Sequence, residues 1–327
     1  MFCGDFRLYF EGSEKKAEIV IDSKQLCLLS DVTDEFWGEL VGSCHAQILS
    51  KISNDKCKAF LLSESSLFVW HDKLLILTCG VTQLVKSVEY FIQQIGANKI
   101  KQVIYQRKNE YFAHKQSSCF GDDIKLLSRY IDGKAFRFGE LDSHHNYVFH
   151  QDNDFIASKD DKTYELHAYQ ISSESSKLLT TPDLSAIKIR DFLRINALLP
   201  EFIIDDHVFE PYGYSLNAIK GERYLTIHVT PQEDSSYVSF ESNLNLIELV
   251  DQILAVLKPA SFGLMTFNEM KLAELLQTHL PKSYVSQSLV NRNLSNGYLV
   301  GFANFIKPQR SFCDAKIVNI NDENYAL

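Results

Sequence analysis

KLLILTCGVTQLVKSVEYFIQQIGANKIKQVIY, residues 73–105, decides the architecture. Lys73 to Cys79 is an apolar run short enough for a buried strand, and Gly80 turns the chain. Val81, Leu84, Val85, Val88, Phe91, Ile92 and Ile95 then recur at helical spacing until Gly96 stops the helix, and Ile100 to Tyr105 is the next strand. The order repeats further on. Tyr224 to Thr230 and Tyr237 to Glu241 read as strands, and Asn243 caps a helix carrying Leu246, Leu249, Val250, Ile253, Leu254 and Leu257. Pro259 closes that helix and Gly263 to Phe267 returns as a strand. Two strand–strand–helix–strand units predict two similar halves, each an antiparallel sheet with helices on one face. If the bare faces pack together, the result is an α+β, four-layer αββα sandwich, expected as one domain over residues 1–327. The polar, serine-rich stretch from Gln151 to Asp183 is expected to be the crossing between halves.

Composition narrows the function. The 327 residues carry a formal net charge of -9 with Lys and Arg scattered, so nothing attracts nucleic acid or an anionic membrane surface, and a cationic small molecule suits the chain better. The start lacks a basic-then-apolar run, and nowhere do 18 apolar residues follow one another; the expectation is a cytoplasmic protein. Seven cysteines at irregular spacing, with no Cys-x-x-Cys pair, give no metal site and are expected to be mostly buried, reduced thiols.

The sharpest chemical signal is Leu61-Leu62-Ser63-Glu64-Ser65-Ser66-Leu67-Phe68-Val69, where a polar tetrapeptide interrupts a strand-like run. By composition alone it is a hairpin turn. Leu77-Thr78-Cys79-Gly80 follows, with Phe10-Glu11-Gly12-Ser13-Glu14-Lys15 before it and Gly213-Tyr214-Ser215-Leu216-Asn217 after it. Thr226-Ile227-His228-Val229-Thr230-Pro231 and Ser236-Tyr237-Val238-Ser239-Phe240-Glu241 complete the series. In this order the motifs resemble those of eukaryotic-type S-adenosylmethionine decarboxylase, a pyruvoyl-dependent family, along most of the chain.

The resemblance implies a self-processing decarboxylase that turns S-adenosylmethionine into its decarboxylated form for spermidine and spermine synthesis. The Ser65 hydroxyl would attack the Glu64 carbonyl, and elimination would leave a pyruvoyl cofactor at Ser65, a β chain of residues 1–64 and an α chain of 65–327. By the same resemblance His228 and Ser215 serve processing, and Cys79 is the proton donor to the product carbon. Glu11 and Glu14 belong to the catalytic set. Phe10 and Phe209 stack on the adenine and face the sulfonium, with Leu62 and Ser66 lining the same pocket. One departure stands out: the animal enzymes hold the ribose hydroxyls with a glutamate where this chain has Gln232.

Glu14, Glu18, Asp161, Thr163, Glu165, Glu241 and Phe267 match the family's buried acidic site, which binds putrescine in animal enzymes. Buried acids need a cation, so either a diamine or nearby Lys15 and Arg107 must neutralise them. Putrescine stimulation and a homodimer are left open. Three other readings compete: a decarboxylase of the same fold acting on ornithine or arginine, an inactive regulatory paralogue, and an interaction protein with a chance serine turn. Intact Glu64-Ser65, Cys79, Ser215 and His228 weigh against the second, and the ordered motifs against the third.

Overall fold

The computed structural model describes residues 14–232 and 236–308. Its first half carries strands β1 (Lys15–Ile21), β2 (Ile48–Ser53), β3 (Lys58–Leu62), β4 (Ser65–Val69), β5 (Lys73–Thr78), β6 (Ile100–Lys108), β7 (Gly133–Phe138) and β8 (Asn146–Gln151). They form one antiparallel sheet in the order β2-β3-β4-β5-β1-β6-β8-β7. The second half carries β9 (Thr163–Tyr169), β10 (Ile203–Val208), β11 (Tyr214–Lys220), β12 (Arg223–Thr230), β13 (Tyr237–Ser242), β14 (Ser261–Phe267), β15 (Val285–Asn293) and β16 (Leu299–Ile306), ordered β10-β11-β12-β13-β9-β14-β16-β15. Each place in the first sheet is filled in the second by the strand eight numbers later. The expected α+β arrangement of two similar halves holds.

Helices cover one face of each sheet. In the first half α1 (Asp34–Ser43), α2 (Leu84–Ile95) and α3 (Phe120–Leu127) lie on this side, where Trp37, Val85, Val88 and Phe91 share a core with Ala17, Ile19, Leu67 and Ile76. In the second, α4 (Ser173–Leu179), α5 (Ala186–Phe192), α6 (Ile195–Leu198), α7 (Leu246–Leu257) and α8 (Leu272–His279) do so, with Val250 and Leu254 against Leu166, Ile227 and Phe240. Residues of opposite parity face the other sheet. Phe68, Trp70, Leu75, Ile219 and Tyr224 close one end of the inter-sheet layer, and Ile104, Val148, Met265, Phe267 and Phe302 close the other. At roughly 1.5–3 kcal/mol per fully buried large side chain, these ends can carry a polar middle.

Three local expectations are corrected. The cap of α7 is Asn245, whose side chain accepts from Ile247 N, while Asn243 accepts from Tyr224 N. The stretch from Gln151 to Asp183 contains β9, a central strand, and helix α4; the alternation of Tyr164, Leu166 and Ala168 on the helix side was hidden by polar partners on the inner side. Val81 precedes α2 and is 62% exposed at the cleft mouth. Among the described residues, no helix is long and apolar enough to cross a membrane.

Candidate active site

The β3–β4 hairpin brings the scissile candidate to the sheet interface. Leu62 pairs with Ser65, leaving Ser63 and Glu64 as a two-residue loop. Such loops ordinarily take a positive φ at glycine or asparagine. Neither is present, and Ser65 itself adopts φ +134°, a conformation costly for a residue with a side chain. The hairpin is held by Gln47 N donating to Ser63 Oγ at 3.0 Å and by Cys79 N donating to Glu64 O at 3.0 Å. The Cys79 thiol also donates to Glu64 O, at 3.2 Å. Two donors thus converge on the carbonyl between Glu64 and Ser65.

The second sheet supplies the partner of the Ser65 hydroxyl. Ser215, His228, Ser239 and His167 are successive cross-strand partners in β11, β12, β13 and β9, so one row of side chains faces the first sheet. His228 Nε2 lies 2.9 Å from Ser65 Oγ, and its Nδ1 lies 2.9 Å from Ser215 Oγ. A proton on Nδ1, given to Ser215, leaves the Nε2 lone pair to accept from Ser65, in competition with Thr226 Oγ1, which is also 2.9 Å away. Burial pushes the imidazole down to about 3, so it is neutral across the physiological range. Burial also raises the Cys79 thiol well above its ordinary value, with Glu64 and Glu14 adding to the effect, so Cys79 keeps its proton. Glu64 is pushed by burial up to about 7, against the pull of Lys15.

These groups open on a cleft of about 270 Å³ between the hairpin and the ends of β11 and β12. Its wall includes Glu64, Ser65, Cys79, Phe209, Ser215, His228 and Gln232, and none of its described lining residues is Lys or Arg. Phe209 closes the β10–β11 turn by donating its N–H to Gly213 O, and a Cβ on Gly213 would come within 3.3 Å of Phe209 Cβ; glycine allows the close approach. Gly80, at φ +62°, turns the chain away and leaves Cys79 at the cleft.

Not every expected residue lines the cleft. Leu62 packs into the helix-side core of the first half. Ser66 stands behind the reaction centre, donating to Asn217 Oδ1 at 2.6 Å and lying 3.0 Å from Thr226 Oγ1. Asn217 in turn donates to Phe60 O at 3.0 Å, so this polar knot joins the two sheets beside Ser65. Asn217 and Thr226 escaped sequence reasoning, although both are polar at inward positions of apolar strands. Phe10 and Glu11 lie outside the described residues. Glu14 is in the inter-sheet layer, accepting from Ser239 and 3.7 Å from His167 Nδ1. Of the described cysteines Cys44, Cys57 and Cys79 are buried, as expected of most of them, Cys27 is half-buried and Cys119 is exposed.

The acidic site is assembled, with different cations from those expected. Glu165 and Glu241 are direct cross-strand neighbours, a repulsive pair unless compensated. Lys16, from the opposite sheet, lies 2.8 Å from Glu165 Oε1 and 2.9 Å from Glu241 Oε1, with its ammonium 5.5 Å from the Phe267 ring centre. Lys73 bonds Asp161 at 2.8 Å, and Tyr298 donates to both Asp161 and Glu18. Thr163 lines the same small cavity as Lys16, Glu18, Ile104 and Phe267. Lys15 and Arg107 are engaged elsewhere: Lys15 donates to Gly80 O at 2.8 Å, and Arg107 pairs with Asp123 and Glu110. The parity of β1 decides this, since consecutive residues point to opposite faces.

Burial alone would depress the Lys16 ammonium, but Glu165 and Glu241 outweigh it and hold it above the usual lysine value. Burial opposes ionisation of Glu165 too, yet Lys16 brings that carboxyl down to about 2. Glu241, for which burial exceeds the pull of Lys16, rises to about 8. Burial likewise raises Glu18, while Lys73 overcomes burial and lowers Asp161. At pH 7 Lys16 therefore faces an ionised Glu165 and a protonated Glu241.

The sequence matches the model of the family described as adenosylmethionine decarboxylase over residues 7–306. The chain belongs to this family. It is 31% identical over 280 residues to the S-adenosylmethionine decarboxylase proenzyme of Leishmania donovani, covering 79% of this chain and 73% of that one. The proenzyme of Xenopus laevis is 30% identical over 276 residues, covering 78% and 82% respectively. In fold, the chain is similar to the crystal structure of a Trypanosoma brucei AdoMetDC-delta26 monomer, with a TM-score of 0.58 and 22% identity over 74% of this chain and 99% of that one. The site's most unusual feature is a serine at positive φ with His228 on its hydroxyl and two donors on the preceding carbonyl.

Proposed function

We propose that the chain is a self-processing decarboxylase of S-adenosylmethionine, acting in the cytoplasm, and that one domain is cut into residues 1–64 and 65–327. The observation that carries the reading is the convergence of His228 Nε2 on Ser65 Oγ and of the Cys79 N–H and thiol on Glu64 O. The Ser65 hydroxyl, held by His228, gives up its proton to the departing nitrogen as Oγ bonds to the Glu64 carbonyl carbon; the Cys79 donors hold the oxygen as it gains charge. The peptide C–N bond breaks, the Ser65 nitrogen takes the proton, and an ester remains. His228 then removes the Ser65 α proton and the Glu64 carboxylate is expelled; the dehydroalanine so formed takes up water and loses ammonia to become the pyruvoyl group. Relief of the φ +134° conformation favours the cut.

When present, that group supplies an electron sink for loss of carbon dioxide from an amine-bearing acid. The protonated Cys79 delivers a proton to the product carbon, and Phe209, with Phe10 and Glu11 expected from the sequence, binds the adenosyl portion. A wall containing Glu64 and Glu210, with no Lys or Arg among its described residues, suits a sulfonium. The test is carbon dioxide release by purified protein from S-adenosylmethionine, ornithine and arginine; faster turnover of either aliphatic acid overturns the substrate. Gln232, in place of the carboxylate that holds the ribose, is the observation that favours that second reading.

Cys79→Ala is expected to release carbon dioxide but to protonate the wrong carbon, leaving the amine on the enzyme. N-terminal sequencing of the large chain after turnover then reads alanine. Sustained turnover with a blocked terminus would show that Cys79 is not the donor.

We infer also that Lys16 and Lys73 stand in for a diamine, so that putrescine neither binds nor stimulates. Cavities of only about 10 Å³ flank Lys16 on its two sides, each room for about one water.

A further inference from the structure

Among the described residues lining the cleft, the hairpin tip Glu210-Pro211-Tyr212 carries the only acidic side chain besides Glu64. Val208 pairs with Tyr214, and Phe209 N–H bonds Gly213 O, so the turn is confined to these three residues. Tyr214 pairs with Val229 across to β12. The tip and the segment Thr230-Pro231-Gln232 therefore leave the sheet side by side, and Glu210, Pro211, Tyr212, Thr230 and Gln232 line the same cleft. Glu210 is exposed there, and no described side chain or backbone group satisfies its carboxylate by a hydrogen bond or ion pair. The neighbouring acid of that hairpin, Asp206, is by contrast consumed by Arg190 and Tyr214.

A carboxylate matches a vicinal diol because its two oxygens accept two O–H donors, and charge assistance strengthens both bonds. Gln232 offers one acceptor oxygen and two donors, so it cannot reproduce that pairing alone. We propose that Glu210 is a specificity-determining residue of this cleft: it holds the ribose diol of the substrate beside Gln232. The carboxylate task has moved from the exit of β12 to the adjacent hairpin tip. This rests on the reading of the cleft as an S-adenosylmethionine site.

The test uses the full chain after self-processing, with cleavage verified by intact mass. Steady-state decarboxylation of S-adenosylmethionine is compared in wild type, Glu210→Gln, Gln232→Glu and the double variant. Glu210→Gln is expected to raise KM roughly five- to twentyfold, the size of losing charge assistance at a diol. In the Gln232→Glu background the same change should raise KM less than about twofold, because a second carboxylate is then available. A substrate lacking the 2′ and 3′ hydroxyls separates the diol from the sulfonium: with it, Glu210→Gln should change KM no further. An unchanged KM for S-adenosylmethionine in processed Glu210→Gln overturns the proposal, as does an equal penalty on the deoxy substrate. Failure of wild type to decarboxylate S-adenosylmethionine instead removes the underlying reading, so the two failures are distinguishable.

Discussion

Ser65→Ala is expected to give a single uncut chain with no decarboxylase activity, a loss limited only by assay sensitivity. Without Oγ there is neither a nucleophile for the Glu64 carbonyl nor a leaving oxygen for the elimination. His228→Ala should differ in kind. If His228 removes the Ser65 α proton, the variant accumulates ester, and hydroxylamine splits it between Glu64 and Ser65 in a way that denatured wild-type α chain does not show. Cleaved Ser65→Ala protein would sink the scheme, and an uncut His228→Ala chain resistant to hydroxylamine would move His228 to the first step alone. The pH profile adds a check on the environment. An imidazole held at about 3 binds no proton between pH 5 and 8, so processing should show no fall centred near 6.5, the ordinary histidine value. The sign is that of a depressed base: function is lost only as pH falls towards the folded value.

Much of this was legible before any coordinates. The helical spacing from Leu84 to Ile95 and its counterpart from Leu246 to Leu257 gave the doubled layout, because a period of 3.6 between apolar strands has few alternative readings. The serine turn, Cys79, Ser215 and His228 come together as expected, since adjacent antiparallel strands put residues of one register row on one face. What was missed shares a cause. Lys16, His167, Asn217 and Thr226 sit on the inward face of strands buried on both sides, where polar residues are ordinarily read as solvent-facing. Only the opposing sheet reveals their partners. Glu210 was hidden differently: an exposed acid in a Pro-containing turn looks like any loop residue until the cleft is seen.

Lys16→Ala should destabilise the protein by about 3–5 kcal/mol, the usual consequence of removing one partner from a buried ion pair. Glu165 would lose the charge that holds it at about 2, and it faces Glu241 directly across the ladder. Thermal unfolding at pH 7 measures the loss; on acidification the variant should regain part of the gap, since protonating Glu165 removes the uncompensated charge. The deletion also empties the space between Phe267, Glu165 and Glu241. Putrescine should then bind the variant, raise its melting temperature in a concentration-dependent way and restore activity, while wild type responds to neither. Lys16→Arg, which keeps a cation, separates charge from cavity and should remain insensitive to the diamine. Severalfold stimulation of wild type by putrescine would mean that the diamine displaces Lys16, and the self-neutralised site would be wrong. Mild destabilisation of Lys16→Ala with no diamine response would instead show that water already compensates these carboxylates. Lys73, which bonds Asp161 at a part-buried position with the side chain 23% exposed, should cost less when replaced by alanine, because solvent can take over part of its role.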